Sequence, residues 1–178
     1  GGSLRYFGDG FQSSKLLDGR RQWRIPVMEG EFVIDETFGM CKGVGGGNFL
    51  ILGESVEATL AAAEAAVTAM QQVPAVILPF PGGIVRSGSK VGARYKFLTA
   101  STNTAYCPTL RAQVDSALPE GVNSVLEIVI DGLSEQAVRQ AMRAGIEAAC
   151  RPGVLRVTAG NYGGKLGQFQ IHLRELWS

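Results

Sequence analysis

The chain has 178 residues, of which 46% are hydrophobic and 19% charged, and its formal net charge is +1. A chain of this length buries about two-thirds of the surface that its unfolded state exposes, so it can fold without disulfides or metals. The balanced charge excludes a broadly basic surface for nucleic acid, and polar residues interrupt every apolar run before the roughly 18 residues that a membrane helix needs. We therefore predict one globular domain, residues 1–178, with a small molecule or a protein as partner.

The three cysteines point to a reducing compartment. Cys41, Cys107 and Cys150 are far apart, and none belongs to a Cys-x-x-Cys pair. This pattern fits reduced thiols better than a disulfide framework or a metal site, and we predict no metal. No basic and then apolar leader is visible at the start, so we expect a cytoplasmic protein.

The first predicted elements are a hairpin and a strand–helix–strand unit. Residues 22–27 and 31–34 alternate around a Glu-Gly turn, which is typical of a hairpin. Residues 48–52 read as a strand, Ser55 as a helix N-cap, and residues 76–78 as a second buried strand. The helix between them carries apolar residues at steps of three and four: Val56, Leu60, Ala63, Val67 and Met70.

A second unit repeats this order. Residues 125–130 form a β-branched run, Ser134 is placed to cap a helix, and residues 154–158 supply the returning strand. The helix is indicated by apolar or small residues at helical spacing: Val138, Ala141, Met142, Gly145 and Ala149. Residues 168–174 alternate, which predicts a further, half-exposed C-terminal strand.

Two such units in succession predict an α+β fold. We expect the ferredoxin-like split β-α-β sandwich, with helices on one face of a mainly antiparallel sheet, extended by the N-terminal hairpin and the C-terminal strand. A doubly wound parallel fold is the alternative. It requires more helices than residues 83–122 supply.

Glu127 is the most informative single residue, because it lies inside the aliphatic run of residues 125–130. An ionised carboxyl is costly to bury without a partner. Strand alternation places Val125, Glu127 and Val129 on one face. Glu127 is therefore either on a solvated face of an antiparallel strand or chemically unusual.

The long connection of residues 79–121 is the second candidate for function. Long connections inside compact domains are commonly functional, although an ordinary well-packed loop is the alternative interpretation. It offers hydroxyl, amide and cationic side chains beside glycines that allow close backbone approach. The candidate ligand-binding residues in it are Ser87, Ser89, Lys90, Asn103 and Tyr106.

Two further glycine-rich segments, residues 43–48 and 160–167, match neither the dinucleotide fingerprint nor the phosphate loop of NTPases. The second adds Asn161 and Lys165 as candidate ligand-binding residues. No Gly-x-Ser-x-Gly elbow occurs, and the single histidine, His172, is interpreted as a surface or structural residue. Cys107 is interpreted as a small buried residue rather than a nucleophile.

Several ordered stretches carry a resemblance to a known family. They are residues 6–11 (YFGDGF), 26–32 (PVMEGEF), 79–85 (PFPGGIV), 100–108 (ASTNTAYCP), 145–149 (GIEAA) and 159–168 (AGNYGGKLGQ). Together they resemble the carboxyl-terminal, distal lobe of formylmethanofuran:tetrahydromethanopterin formyltransferase. The resemblance spans nearly the whole chain and leaves the family's amino-terminal lobe outside it.

The resemblance implies a cytoplasmic enzyme that moves a formyl group between methanofuran and N5 of tetrahydromethanopterin. It implies no tightly bound cofactor, since the two carriers are the substrates. Its hosts are methanogenic archaea or methylotrophic bacteria, and its partners are either further copies of itself or the subunits of a formyltransferase/hydrolase complex. The proton-transfer glutamate of the family falls on Glu127, whose apolar neighbours we expect to raise its pKa.

The resemblance leaves two interpretations open. In one, the chain is the catalytic lobe: Asn103, Tyr106 and Asn161 stabilise the oxyanion or orient the pterin, and Lys90 and Lys165 meet acidic groups of the carriers. In the other, it is a non-catalytic ferredoxin-like lobe that binds a pterin or a partner subunit.

Overall fold

The protein is represented by a computed structural model that describes residues 1–160 and 167–178. It contains two compact units, Gly1–Lys42 and Gly43–Ser178. The strands and helices in the described residues are β1 (Ser13–Leu17), β2 (Arg20–Val27), β3 (Gly30–Asp35), β4 (Val44–Gly53), α1 (Val56–Met70), β5 (Val76–Ile77), β6 (Lys90–Val91), β7 (Ala100–Ser101), β8 (Ser124–Gly132), α2 (Glu135–Ala149) and β9 (Val154–Thr158). The architecture is mixed α/β with mainly antiparallel sheets.

The first unit is a three-stranded antiparallel sheet in the order β1-β2-β3. The predicted hairpin is confirmed as β2 and β3, which pair from Gln22↔Asp35 to Val27↔Gly30. The sequence did not predict β1. It joins β2 through Asp18-Gly19, and both residues have positive φ, as the tightest two-residue hairpin turns require.

The second unit holds a four-stranded antiparallel sheet in the order β5-β8-β4-β9. Both helices pack on one face of it, where the apolar side chains form a continuous core. Ser55 and Ser134 cap the two helices as predicted, each accepting a hydrogen bond from a backbone N–H three residues on. The helices approach closely at Gly145, where an added Cβ would lie only 2.4 Å from the Met70 sulfur.

The buried face of α2 is the one that the sequence predicts, but the prediction for α1 is partly wrong. Val56 and Leu60 are exposed, whereas Thr59, Ala62 and Ala66 are buried. Small side chains let α1 lie close to the sheet and to α2. Hydrophobicity alone therefore mislocated the contact face.

The predicted buried strand at residues 76–78 is instead a two-residue edge strand. Val76 and Ile77 pair only with β8, and the side chain of Ile77 is 63% exposed. An edge strand has one neighbour and needs less apolar burial than an inner strand.

The predicted C-terminal strand at residues 168–174 is wrong. The backbone at His172 is extended, but no ladder is formed, and a 3-10 helix, Leu173–Trp177, follows. Ile171 and Leu173 pack against the helical core, and Leu176 is buried in it. An extended segment lying on other side chains alternates in the same way as a paired strand, so alternation alone could not distinguish the two cases.

In the described part of the chain, no helix is long and apolar enough to cross a lipid bilayer. All three cysteines are free thiols.

Candidate active site

The two faces of the four-stranded sheet have different covers. We call the side packed on α1 and α2 the helix-covered face, and it includes Phe49, Ile51, Ile128 and Ile130. The opposite side is the loop-covered face, where residues 79–123 supply the apolar cover. Strand alternation and the pairing of β4 with β8 place these side chains on it: Asn48, Leu50, Leu52, Val125, Glu127 and Val129.

Glu127 is buried on the loop-covered face, with only 4% of its surface exposed. Leu50 lies directly opposite it on β4, and Val85 pairs with it on the other side of β8. Both neighbours are buried. The solvated-strand interpretation of Glu127 is therefore wrong, and its neighbours on both adjacent segments are aliphatic residues.

The long connection returns to the sheet at Glu127. The Val85 N–H donates to the Glu127 carbonyl over 2.7 Å, and the Glu127 N–H donates to the Val85 carbonyl over 2.9 Å. This pair places Val85 on β8 beyond the end of β5. The backbone at residues 84–86 is thus fixed beside the candidate carboxylate.

The remainder of the connection folds over one end of the loop-covered face. Leu118 and Val122 are buried against Leu50 and Leu52, and Tyr106 packs on the same cluster. The Arg111 guanidinium holds this arrangement by donating to the carbonyls of Pro119, at 2.9 Å, and of Val122. Of the predicted ligand-binding residues, Tyr106 is the one that the structure places in this apolar cover.

Four other predicted residues lie in or near the short β6–β7 ribbon. Ser87 and Ser89 are exposed, and the Ser87 carbonyl is 3.5 Å from the Thr102 hydroxyl. The Lys90 ammonium is 3.5 Å from the Thr104 hydroxyl, and half-buried Asn103 precedes a 3-10 turn. These residues gather on one ribbon, and their roles stay predictions. Asn161 and Lys165 lie outside the described residues.

Two polar residues that the sequence reasoning missed also belong to this region. Asn48 is buried on the loop-covered face, and its Oδ1 accepts a hydrogen bond from the Gly160 N–H over 2.8 Å. Asp131 Oδ1 accepts from the Gly46 N–H over 2.8 Å at the bulge of β4. The signal for Asn48 was available, because it is a polar residue that opens the apolar run of residues 49–52.

The arrangement offers proton chemistry at Glu127. A buried carboxyl can take a proton from one substrate atom and give it to another. Within residues 1–160 and 167–178, no group of three or more histidine, cysteine, aspartate or glutamate side chains is arranged to hold a metal ion. The fold and the site together define a mixed α/β protein with a buried carboxylate on a loop-covered sheet face.

Comparison with known proteins gives the family. The family model described as FTR, proximal lobe, matches residues 30–176. The chain is 63% identical to the formylmethanofuran–tetrahydromethanopterin formyltransferase of Methylococcus capsulatus and 59% identical to that of Methanopyrus kandleri, in each case over 99% of this chain and 60% of the relative. It belongs to the formylmethanofuran–tetrahydromethanopterin formyltransferase family.

Solved structures agree with this assignment. The formyltransferase of Methanosarcina barkeri superposes with a TM-score of 0.79 at 48% identity, over 98% of this chain and 60% of that one. The formyltransferase/hydrolase complex of Methylorubrum extorquens, solved with methylofuran, gives a TM-score of 0.79 at 53% identity, over 100% of this chain and 61% of that one. The chain thus spans about 60% of the length of the curated relatives that it matches.

The resemblance identified the family correctly but assigned the wrong lobe. The motifs predicted the distal lobe, whereas the matching family model is that of the proximal lobe. Motif order within one chain identifies a family. Proximal and distal describe a place in the whole molecule, which local motifs do not encode.

Proposed function

We propose that this chain forms the lobe that carries formyl transfer between formylmethanofuran and N5 of tetrahydromethanopterin, with Glu127 as general acid and base. The observation that carries the proposal is the burial of Glu127 between Leu50 and Val85 on the loop-covered face. The names of the relatives supply the reaction. The two carriers are substrates, and no tightly bound cofactor is part of the proposal.

The reaction explains why one buried carboxyl suffices. The pterin nitrogen attacks the formyl carbon, a tetrahedral centre forms, and the bond from that carbon to the methanofuran nitrogen then breaks. The carboxylate removes the proton of the attacking nitrogen and delivers it to the departing nitrogen, so the net proton change is zero. General acid–base catalysis of this kind contributes about 100- to 10,000-fold in rate.

The oxyanion of the tetrahedral centre needs donors that are already in place. Asn103 and Tyr106 are the candidates from the long connection in the described part of the chain, and Ser87, Ser89 and Lys90 are candidates for holding the carriers. The proposal extends to Asn161 and Lys165. Each carrier-binding assignment is tested by substituting the residue, because loss of a carrier contact raises KM for that carrier.

The fold and assembly complete the proposal. The order β5-β8-β4-β9, with a helix between β4 and β5 and another between β8 and β9, supports a ferredoxin-like split β-α-β class for the second unit. We propose a cytoplasmic location, which the three free thiols support. The partners proposed are further copies of the chain or the subunits of a formyltransferase/hydrolase complex, since one structural relative is such a complex.

The test is the substitution Glu127→Gln in the protein at its full natural length. It keeps the size and polarity of the side chain but removes its ability to carry a proton at neutral pH. We expect formyl transfer to fall by about 100- to 10,000-fold, with melting temperature and pterin binding near those of the wild type.

Glu120→Gln is the matched control, because Glu120 is an exposed carboxylate in the same long connection. It should transfer formyl groups at the wild-type rate. Full turnover in Glu127→Gln would refute the role of Glu127. Pterin binding without turnover in the wild type would favour the non-catalytic lobe instead.

A further inference from the structure

Asn48 is a buried amide in a strand that is otherwise apolar. Only 8% of its surface is exposed, and the following residues, 49–52, are all buried hydrophobics. A polar group in such a place requires a hydrogen-bonding partner to offset the loss of water. Its partner is distant in sequence, since Asn48 Oδ1 accepts the Gly160 N–H over 2.8 Å.

Gly160 lies where the pairing of β4 with β9 would continue, so this hydrogen bond takes the place of a strand pair. The ladder between β4 and β9 pairs Leu50 with Thr158, so continuing the register would pair Asn48 with Gly160. That pair does not form, because β9 ends at Thr158. The Gly160 N–H instead donates to the side chain of Asn48, which anchors Gly160 two residues beyond the end of β9.

The same side chain is close to the candidate carboxyl. Asn48 pairs with Val129, and Leu50 pairs with Glu127, so Asn48 and Glu127 are diagonal neighbours on the loop-covered face. Such neighbours lie about 7–8 Å apart. One amide therefore connects the end of β9 to the immediate surroundings of Glu127.

We propose that Asn48 is a positioning residue for formyl transfer, which fixes the chain at Gly160, across β4 from Glu127, so that the carriers meet the carboxyl in the productive geometry. This inference rests on the proposed function. The amide oxygen is the essential atom, because only an acceptor can satisfy the Gly160 N–H. Small displacements of a substrate-positioning group cost about 100-fold in rate in other enzymes.

The test compares three substitutions in the protein at its full natural length. Asn48→Ala removes the acceptor, and Asn48→Asp retains it. Asn123→Ala is the matched control, because the Asn123 side chain also bonds to the backbone, donating to the carbonyls of Glu54 and Gly121, at the opposite end of β8. Melting temperatures are recorded for all three.

We expect kcat/KM of Asn48→Ala to fall about 10- to 100-fold, Asn48→Asp to recover at least a few-fold of that loss, and Asn123→Ala to match the wild type. Hydrogen exchange at the Gly160 amide should accelerate in Asn48→Ala alone. Equal activity of Asn48→Ala and Asn123→Ala would overturn the proposal, and so would unchanged exchange at Gly160.

The failure of this inference can be distinguished from the failure of the proposed function. If the wild type transfers formyl groups and Glu127→Gln does not, while Asn48→Ala retains full activity, only the role of Asn48 is refuted. If the wild type itself shows no transfer, the proposed function is refuted. The positioning of Gly160 is then tested by hydrogen exchange alone.

Discussion

The two faces of the four-stranded sheet are built from alternate residues of the same strands, yet they differ in chemistry. The helix-covered face is closed by two regular helices over a continuous hydrophobic core. The loop-covered face is closed by an irregular connection and contains both Glu127 and Asn48. Apolar burial on the helix-covered face stabilises the sheet. The loop-covered face of the same sheet can therefore include buried polar groups, which cost free energy.

The largest effect is expected when a carboxylate is placed on the helix-covered face, where it tests the difference between the two faces. Ile128 is adjacent to Glu127 but fully buried among the side chains of the helix-covered face. Ile128→Glu would place a charge there at a cost of several kcal/mol, which is a large fraction of the stability of a typical domain. We expect the cooperative thermal transition to be lost, as measured by circular dichroism.

Ile128→Val is the control for lost volume at the same position, and it should cost about 0.5–1.5 kcal/mol with the fold retained. A native-like melting curve for Ile128→Glu would show that the two faces tolerate charge equally. The difference between the two faces in tolerance of charge would then not exist.

The difference between the two faces also determines how much of each face could be predicted from the sequence. Helical periodicity identifies the buried side of α2, and two serine caps locate both helix starts. Periodicity also places Glu127 on the opposite face from Ile128. These features are local, and spacing within one segment is sufficient to find them.

The cover of the loop-covered face is not local. Val85 joins Glu127 through a single backbone pair, and Asn48 joins Gly160 through a single side-chain bond. One contact between distant segments leaves no periodic pattern in the sequence. The absence of a strand at residues 168–172 could not be predicted for a related reason. Side-chain packing against the core produces the same alternation of apolar and polar residues as a strand.

A smaller effect is expected where the long connection joins the sheet. Val85→Pro removes the N–H that donates to the Glu127 carbonyl over 2.7 Å. An unsatisfied buried acceptor costs about 1–3 kcal/mol. We expect a lower melting temperature, faster hydrogen exchange at the Glu127 amide, and a higher KM in formyl transfer.

Val85→Ala is the matched variant, because it trims the side chain but retains both backbone hydrogen bonds. If the two variants had the same KM and the same exchange rate, the backbone pair would have no separate role. The contact of Val85 would then be ordinary packing.

The smallest effect concerns the outer surface of the helix-covered side. Glu147 on α2 accepts hydrogen bonds from Arg143 at 2.9 Å and from the Trp177 indole at 2.8 Å. These two donors, Arg143 first, lower the pKa of the Glu147 carboxyl below its ordinary value of 4.5. A lowered pKa in the folded state means stability that is present above the ordinary value and lost as the pH falls through the lowered one.

Acidification below pH 4.5 should therefore release Trp177 from α2 before the core unfolds. The change is measured by tryptophan fluorescence as the difference between the wild type and Trp177→Phe, since Trp23 also emits. Glu147→Gln keeps an acceptor but cannot titrate, so its Trp177 signal should be insensitive to pH over this range. A pH-dependent signal that survives in Glu147→Gln would show that Glu147 is not the group responsible.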